Sequence, residues 1–239
     1  EHYKHLFDIS PDVVAYDLHP EYLSTKFALA LDDVEIKVPV QHHHAHIASC
    51  MADNEIEGEV IGVAFDGLGF GLDGKLWGGE FFVADFGQAE RVAHLANISL
   101  AGGAKAIREP WRLAAVYLNQ VFGDSFMELD VPFTRQLPLN RWATLNSMIV
   151  CGINSPETSS MGRLFDAVSG LLTLRSSVNY EGQAAIELEN IAERVATDVY
   201  EFEVNGEEIS AFSVIRRAVE DILDKVPAGQ ISARFHFSV

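Results

Sequence analysis

Hydrophobic and polar positions alternate in blocks over the first 58 residues of the chain. Two short apolar runs occupy residues 13–18 and 36–40, and apolar runs of this length between polar segments are typical of buried strands. Residues 22–31 and 42–54 consist largely of good helix formers. The resulting order of strand, helix, strand and helix predicts an α/β unit.

A second pattern begins at Val60. Residues 60–65 form an apolar run that predicts a buried strand, and a glycine-rich segment follows at 66–74. Two further strand-like stretches lie at 76–86 and 91–100. Consecutive strands joined by short glycine-containing turns indicate an antiparallel meander.

The second half of the chain has mostly helical spacing of its apolar residues, as at Trp111, Leu113, Leu118, Leu164 and Val168. One predicted hairpin, with strands at 200–204 and 209–212 and an Asn-Gly turn between them, interrupts the helices. A further helix is predicted over 213–225. The fold class predicted for the whole chain is therefore α/β.

Composition narrows the classes of function. Of the 239 residues, 48% are hydrophobic and 22% are charged, which is typical of a globular protein. No apolar run approaches the roughly 18 residues of a membrane span, so we expect no membrane partner. With a net charge of −18, the protein repels the negatively charged phosphate backbone of nucleic acids, so we expect no nucleic-acid partner. A small phosphorylated ligand stays possible, because backbone N–H groups can bind phosphate without lysines.

The two cysteines and the two chain ends carry limited information. Cys50 and Cys151 form no C-x-x-C motif, which argues against a disulfide scaffold and a thiolate zinc site. A reducing, cytoplasmic location is expected.

The chain starts at Glu1 without Met and stops at Val239 without a helix stop signal, so we expect the fold to be incomplete at both ends.

Four histidines within five residues form the sharpest local motif of the sequence. On a helix, His42 and His46 stand at positions i and i+4, which places them on one face about 5–6 Å apart. Two imidazoles at that spacing can share one metal ion. His43 and His44 are predicted to point elsewhere. The alternative is a polar helix start in which the histidines have no ligand.

The segment after the strand at 60–65 is a candidate for binding both phosphate and metal. Gly67 and Gly69 would let a phosphate approach the backbone closely, and the Asp66 carboxylate could hold a metal. The segment is neither a Walker motif nor a Rossmann fingerprint, because no Gly-Lys-Ser/Thr follows and the next element is a strand. A glycine-rich hairpin without a ligand is the alternative.

Two further motifs lie at predicted helix starts. Gly162 and Asp166, one turn apart, could face a ribose, whereas the alternative makes Asp166 a solvated residue of an amphipathic helix. Glu181 and Gln183 flank a glycine and could contact a ligand or cap the helix.

Taken in order, these motifs resemble the hydrogenase-maturation carbamoyltransferases, the HypF family, over nearly the whole chain. The matching segments are DLHP at 17–20, VQHHHAHIA at 40–48, DGLGFG at 66–71, LWGGE at 76–80, REPWR at 108–112, MGRLFD at 161–166, YEGQ at 180–183 and SARFH at 232–236. The family's carbamoyl-transfer domain is related to threonylcarbamoyladenosine-synthesis enzymes of tRNA modification and to antibiotic O-carbamoyltransferases.

The resemblance implies the actin/Hsp70/sugar-kinase-like fold, in which two RNase H-like lobes surround a nucleotide cleft. Residues 1–58 would be the C-terminal part of the first lobe. Residues 59–239 would be most of the second lobe, with a helical insertion and a truncated C-terminal end. The family's acylphosphatase-like, zinc-finger and adenylate-forming modules have no counterpart in the sequence, so the chain alone is expected to be inactive.

The resemblance also implies the chemistry. In the family, carbamoyl phosphate and ATP yield carbamoyl adenylate, and this domain passes the carbamoyl group to the C-terminal cysteine of a partner maturation protein. The group becomes a cyanide ligand of the NiFe hydrogenase centre. The implied metal is iron or zinc on His42, His46 and Asp66. The implied nucleotide contacts are Gly162 and Asp166, with no catalytic residue assigned.

Two other functions fit the residues. Two histidines and a carboxylate also suit a metal-dependent hydrolase, although no Glu follows the first His as in the H-E-x-x-H motif. The chain could also be an inactive fragment that only binds nucleotide.

Overall fold

The structure is a computed structural model that describes residues 2–195 and 198–239. The α-helices are α1 (His2–Phe7), α2 (Leu23–Leu29), α3 (His42–Asp53), α4 (Ala104–Arg108), α5 (Trp111–Phe122), α6 (Pro132–Gln136), α7 (Leu139–Val150), α8 (Met161–Leu171), α9 (Gln183–Ile191), α10 (Phe212–Leu223) and α11 (Ala228–Ser238), and a 3-10 helix spans Gly123–Glu128. The strands are β1 (Val13–Asp17), β2 (Ile36–Val40), β3 (Val60–Phe70), β4 (Leu76–Ala84), β5 (Ala89–Leu95), β6 (Ile98–Ser99), β7 (Glu157–Thr158), β8 (Glu203–Asn205) and β9 (Glu208–Ser210). No helix in these residues is long and apolar enough to cross a lipid bilayer.

The first sheet contains β1 and β2, which pair in parallel with Asp17 opposite Val40. A parallel pair needs a crossover connection, and α2 supplies it. Helix α3 begins directly after β2, where the Gln41 side chain accepts a hydrogen bond of 2.9 Å from the backbone N–H of His44. The predicted strand–helix order of this region is therefore confirmed.

The second sheet has the strand order β6-β7-β4-β5-β9-β8, with β3 also paired to β4. Strands β3, β4 and β5 form the predicted antiparallel meander. The predicted hairpin near residue 205 is β8–β9, in which Val204 pairs with Ile209.

The predicted end of the third strand is wrong. Strand β3 does not stop at Phe65 but continues to Phe70, with a shift of register between Phe65 and Gly69. The residues between them form a bulge, which is a common place for glycine within a strand. The glycines at 67 and 69, which predict a turn, therefore mark a local bend in a continuous strand.

Helix α8 joins the helical layer to the second sheet. Leu164, Val168 and Leu171 are fully buried against the core that also holds Leu113 and Leu118 of α5. Burying a leucine or valine side chain stabilises a fold by about 1.5–3 kcal/mol. Because α8 packs on both α5 and β3, its first turn has a fixed position beside the bulge.

Candidate functional site

Three metal-binding groups converge between α3 and the bulge of β3. Ligand atoms of His42, His46 and Asp66 all lie within 4.8 Å of one another. His42 Nε2 is 3.2 Å from His46 Nε2 and 3.2 Å from Asp66 Oδ2. Ligands about 2.0–2.1 Å from a tetrahedral zinc ion lie roughly 3.4 Å apart, so this spacing suits one ion.

One oxygen of the Asp66 carboxylate is hydrogen-bonded, and the other is available to a metal ion. Its Oδ1 accepts a hydrogen bond of 2.6 Å from the backbone N–H of Gly67. Its Oδ2 is buried and has no hydrogen-bond partner in the described part of the chain. A buried carboxylate oxygen without a partner is unfavourable unless a cation satisfies it. The residues present therefore fit a divalent metal.

Asp17 orients the first histidine, a role that the sequence did not reveal. Its Oδ2 lies 2.6 Å from His42 Nδ1, and its Oδ1 accepts a hydrogen bond of 2.7 Å from the backbone N–H of His19. A carboxylate on one imidazole nitrogen directs the other nitrogen towards a metal. The pairing of Asp17 with Val40 places this carboxylate two residues from His42, so the parallel register was the signal that could have identified it.

The prediction that His43 and His44 point away from the site is correct only for His44, whose Nε2 lies 2.7 Å from the backbone oxygen of Asp85. His43 is fully buried, and its Nδ1 lies 3.2 Å from Gln41 Nε2. Its Nε2 lies 3.8 Å from Asp66 Oδ2 and has no hydrogen bond within the described residues. His43 is rotated about 100° around the helix axis from His42. It still faces the bulge, because its ring lies against Gly69. Burial lowers the pKa of His43 to about 4, which keeps the ring neutral at pH 7.

The glycines of the site have different neighbours from those expected. A Cβ on Gly69 would lie 2.4 Å from His43 Cε1, so the missing side chain makes room for imidazole rings. A Cβ on Gly162 would lie 3.1 Å from the Cα of Gly67, so Gly162 lets α8 approach the bulge. Gly67 faces Glu181, whose Oε1 would lie 3.4 Å from a Cβ there.

Asp166 is not the solvated helix residue of the alternative interpretation, because its exposed fraction is only 3%. Its Oδ2 accepts a hydrogen bond of 2.7 Å from Nε of Arg163, which is also buried. Burial raises the pKa of the Asp166 carboxyl, and the Arg163 guanidinium opposes that rise. One oxygen expected to face a ribose is therefore already engaged within the protein.

Glu181 and Gln183 have separate roles in the structure. Gln183 is buried, accepts a hydrogen bond of 2.8 Å from the backbone N–H of Asn179 and donates one of 2.9 Å to Glu187. Gln183 therefore fixes the turn before α9. The cap interpretation is wrong, because the N-cap of α9 is Gly182 and no side chain caps the helix there. Glu181 is exposed beside Gly67 and lines a cavity of about 330 Å³, together with Ala104, Ile107, Arg108, Val178, Asn179 and Tyr180.

A buried glutamate on β4 forms a hydrogen-bond network beside the bulge. Glu80 is fully buried, and its Oε1 accepts hydrogen bonds from the Ser159 hydroxyl and from the backbone N–H groups of Gly78 and Gly79, the latter two at 2.9 and 3.1 Å. Its Oε2 accepts one of 2.5 Å from Arg91 Nε. A Cβ on Gly78 would lie 2.6 Å from the Asp66 carbonyl oxygen, so this segment of β4 packs directly against the bulge.

Two family descriptions match the chain. "HypF Kae1-like domain" matches residues 1–53. "Carbamoyltransferase, Kae1-like Domain, second subdomain" matches residues 62–239.

Curated relatives show the same similarity. Carbamoyltransferase HypF2 of Cupriavidus necator is 43% identical over 194 residues, which cover 80% of this chain and 23% of that protein. Carbamoyltransferase HypF of Synechocystis sp. is 35% identical over 263 residues, which cover 100% of this chain and 33% of that protein. The chain therefore spans about a quarter to a third of the length of these two relatives.

Solved structures resemble the whole chain. A structure described as full-length HypF in the phosphate- and nucleotide-bound form matches with a TM-score of 0.90 at 40% identity, covering 98% of this chain and 36% of that one. T. kodakarensis HypF matches with a TM-score of 0.83 at 33% identity, covering 95% of this chain and 31% of that one. The predicted α/β class and the actin/sugar-kinase-like fold are confirmed by these matches.

Proposed function

Because the chain belongs to the HypF carbamoyltransferase family, which it matches in the Kae1-like domain, we propose that it is the carbamoyl-transfer domain of a hydrogenase-maturation carbamoyltransferase. It binds ATP or carbamoyl adenylate together with an iron or zinc ion. It passes the carbamoyl group, which originates in carbamoyl phosphate, to the C-terminal cysteine of a partner maturation protein. The group is used for the cyanide ligands of the NiFe hydrogenase centre, and the reaction takes place in the cytoplasm.

One observation carries this proposal, namely the convergence of His42, His46 and Asp66 within 4.8 Å. These three residues would hold the metal, and a bound metal would supply a Lewis acid for a carbonyl or phosphate oxygen. Asp17 holds the His42 ring in place, and Gly67 N–H holds Asp66. Transfer from an acyl adenylate needs orientation and charge stabilisation more than proton transfer, since AMP is a good leaving group.

The nucleotide is proposed to bind beside the metal, where Gly67 and Glu181 meet. Glu181 lies beside Gly67 and also lines the cavity of about 330 Å³. Arg108 adds a positive charge to the wall of this cavity. Gly162 and Asp166, in the first turns of α8 beside the bulge, are proposed to contact the nucleotide as well. The two lobes are proposed to divide at residue 58, between β2 and β3 of the two sheets.

A transfer assay tests the function directly. The chain is supplied with zinc, ATP, carbamoyl phosphate, a separate adenylate-forming domain from a HypF relative, and a partner protein that ends in cysteine. We expect mass spectrometry to find one carbamoyl group on that cysteine, and none when the chain is omitted or the cysteine is replaced by serine. Loss of carbamoyl phosphate that depends on the chain but gives no modified cysteine would instead indicate a hydrolase. If neither reaction occurs, the chain is a fragment that only binds nucleotide.

Glu181→Gln is expected to weaken ADP binding by up to about tenfold. Glu181 is exposed, so the net contribution of its hydrogen bond is about 0.5–1.5 kcal/mol, and 1.4 kcal/mol is a factor of ten in affinity. Isothermal titration with ADP measures the change. Glu189→Gln, an exposed residue of the nearby helix α9, is the matched control and should keep the wild-type affinity. Equal affinities for both variants would remove Glu181 from the nucleotide site.

A further inference from the structure

We propose that Arg163 and Asp166 are positioning residues for the metal ligand Asp66, acting on it through the backbone of the β3 bulge. The inference rests on the metal centre of the proposed function. It gives Asp166 a role that differs from contact with a ribose, and it gives Arg163 a role where the sequence suggested none.

The bulge needs hydrogen-bond donors from outside its own sheet. The register of β3 against β4 shifts between Phe65 and Gly69, so Asp66 and Gly67 fall outside the regular strand pairs. The Ser160 hydroxyl lies 3.0 Å from the Asp66 carbonyl oxygen and 2.8 Å from that of Gly67. Arg163 Nη1 donates a further hydrogen bond of 3.2 Å to the Gly67 carbonyl. The first turn of α8 therefore replaces the missing strand partner.

These contacts hold the two peptide groups on either side of Gly67. Ser160 binds the carbonyl of the Asp66–Gly67 group, and Ser160 and Arg163 together bind the carbonyl of the Gly67–Leu68 group. The Asp66 carbonyl and the Gly67 N–H belong to the same planar unit, so fixing the carbonyl fixes the direction of the N–H. That N–H donates to Asp66 Oδ1 at 2.6 Å. With Oδ1 held, Oδ2 is left 3.2 Å from His42 Nε2, within the proposed metal centre.

Asp166 keeps Arg163 in the orientation that this arrangement requires. Both side chains are almost completely buried, and the carboxylate accepts from Nε while Nη1 of the same guanidinium reaches Gly67. The planar guanidinium can serve both acceptors at once, whereas the single ammonium of lysine has no such fork. Losing the carboxylate would leave the arginine as a buried charge without its ion-pair partner.

Arg163→Lys and Asp166→Asn are the test variants, chosen because each preserves approximate size. We expect Arg163→Lys to weaken zinc binding by about 10- to 100-fold, the range typical when a residue supporting a metal ligand is replaced. Asp166→Asn should weaken binding in the same direction. Competition with a chromophoric chelator gives the dissociation constants, and the absorption spectrum of the cobalt(II) form reports whether the ligand geometry has changed.

Asp221→Asn is the matched control. Asp221 forms another buried pair, accepting hydrogen bonds of 2.6 Å from both Arg234 and Tyr200 where α10 meets α11. This variant should lose stability and keep the wild-type zinc affinity. The Gly67 amide provides a readout without metal, because its NMR resonance should move in Arg163→Lys and stay in place in Asp221→Asn.

The outcomes separate this inference from the proposed function. If the wild type binds zinc and Arg163→Lys binds it within twofold with an unchanged cobalt spectrum, Arg163 does not position Asp66. An unmoved Gly67 amide in Arg163→Lys would overturn the inference in the same way. If the wild type binds no zinc while the Gly67 amide moves as expected, the metal centre is wrong and the support of Asp66 by Arg163 stands.

Discussion

His42→Ala is expected to weaken zinc binding by about two to three orders of magnitude. Structural zinc sites with four ligands have apparent binding free energies of about 10–16 kcal/mol, or roughly 2.5–4 kcal/mol for each ligand. His42 Nε2 is 3.2 Å from the ligand atoms of both His46 and Asp66, so it occupies the middle of the proposed centre. Elemental analysis after dialysis and chelator competition measure the loss, and His46→Ala should behave similarly.

His44→Ala is the matched control for this prediction. His44 belongs to the same turn of α3, but its ring nitrogen is 2.7 Å from the backbone oxygen of Asp85, outside the metal centre. We therefore expect wild-type zinc content in His44→Ala. Full zinc content in both His42→Ala and His46→Ala would show that the three converging residues are not the metal centre.

Glu80→Ala is expected to lower the free energy of unfolding by about 3–5 kcal/mol. Removing one partner of a buried ion pair has an effect of about this size, because the other charge stays buried without compensation. Here Arg91 keeps a longer contact of 3.7 Å with Asp73, but it loses Glu80, and two backbone N–H groups and the Ser159 hydroxyl also lose their acceptor. Denaturant unfolding, followed by circular dichroism, gives the change.

Glu157→Ala serves as the control for Glu80→Ala. Glu157 forms an ion pair of 2.6 Å with Lys75, but both side chains are well exposed. Exposed pairs contribute about 0–1 kcal/mol, so the unfolding midpoint should move little. If Glu80→Ala and Glu157→Ala had equal small effects, the buried network around Glu80 would not stabilise the fold.

The sequence predicted the elements whose hydrophobic pattern is local. The i, i+3, i+4 spacing in α5 and α8 and the short apolar runs of β1 and β2 needed no knowledge of distant contacts. The glycines after Phe65 predict a turn where β3 has a bulge, because glycine is common in both and only the pairing with β4 distinguishes them.

The same distinction between local and distant contacts applies to the candidate site. His42 and His46 were predicted to lie together, because helix geometry alone sets the distance between them. The supporting contacts join residues far apart in sequence: Asp17 and His42 are separated by 25 positions, Glu80 and Ser159 by 79, and Arg163 and Gly67 by 96. Contacts at such separations depend on how strands and helices pack, which periodicity does not encode.

The proposed ligands come from opposite sides of the junction between the two sheets. His42 and His46 follow β2 of the small sheet, whereas Asp66 belongs to β3 of the large one. An ion held by all three would act as a removable crosslink between the two sheets. A ligand that binds only the folded state stabilises it by about 2.7 kcal/mol at one hundred times its dissociation constant. The melting temperature of the chain would then depend on the concentration of free metal, and chelation would loosen the junction before the rest of the fold.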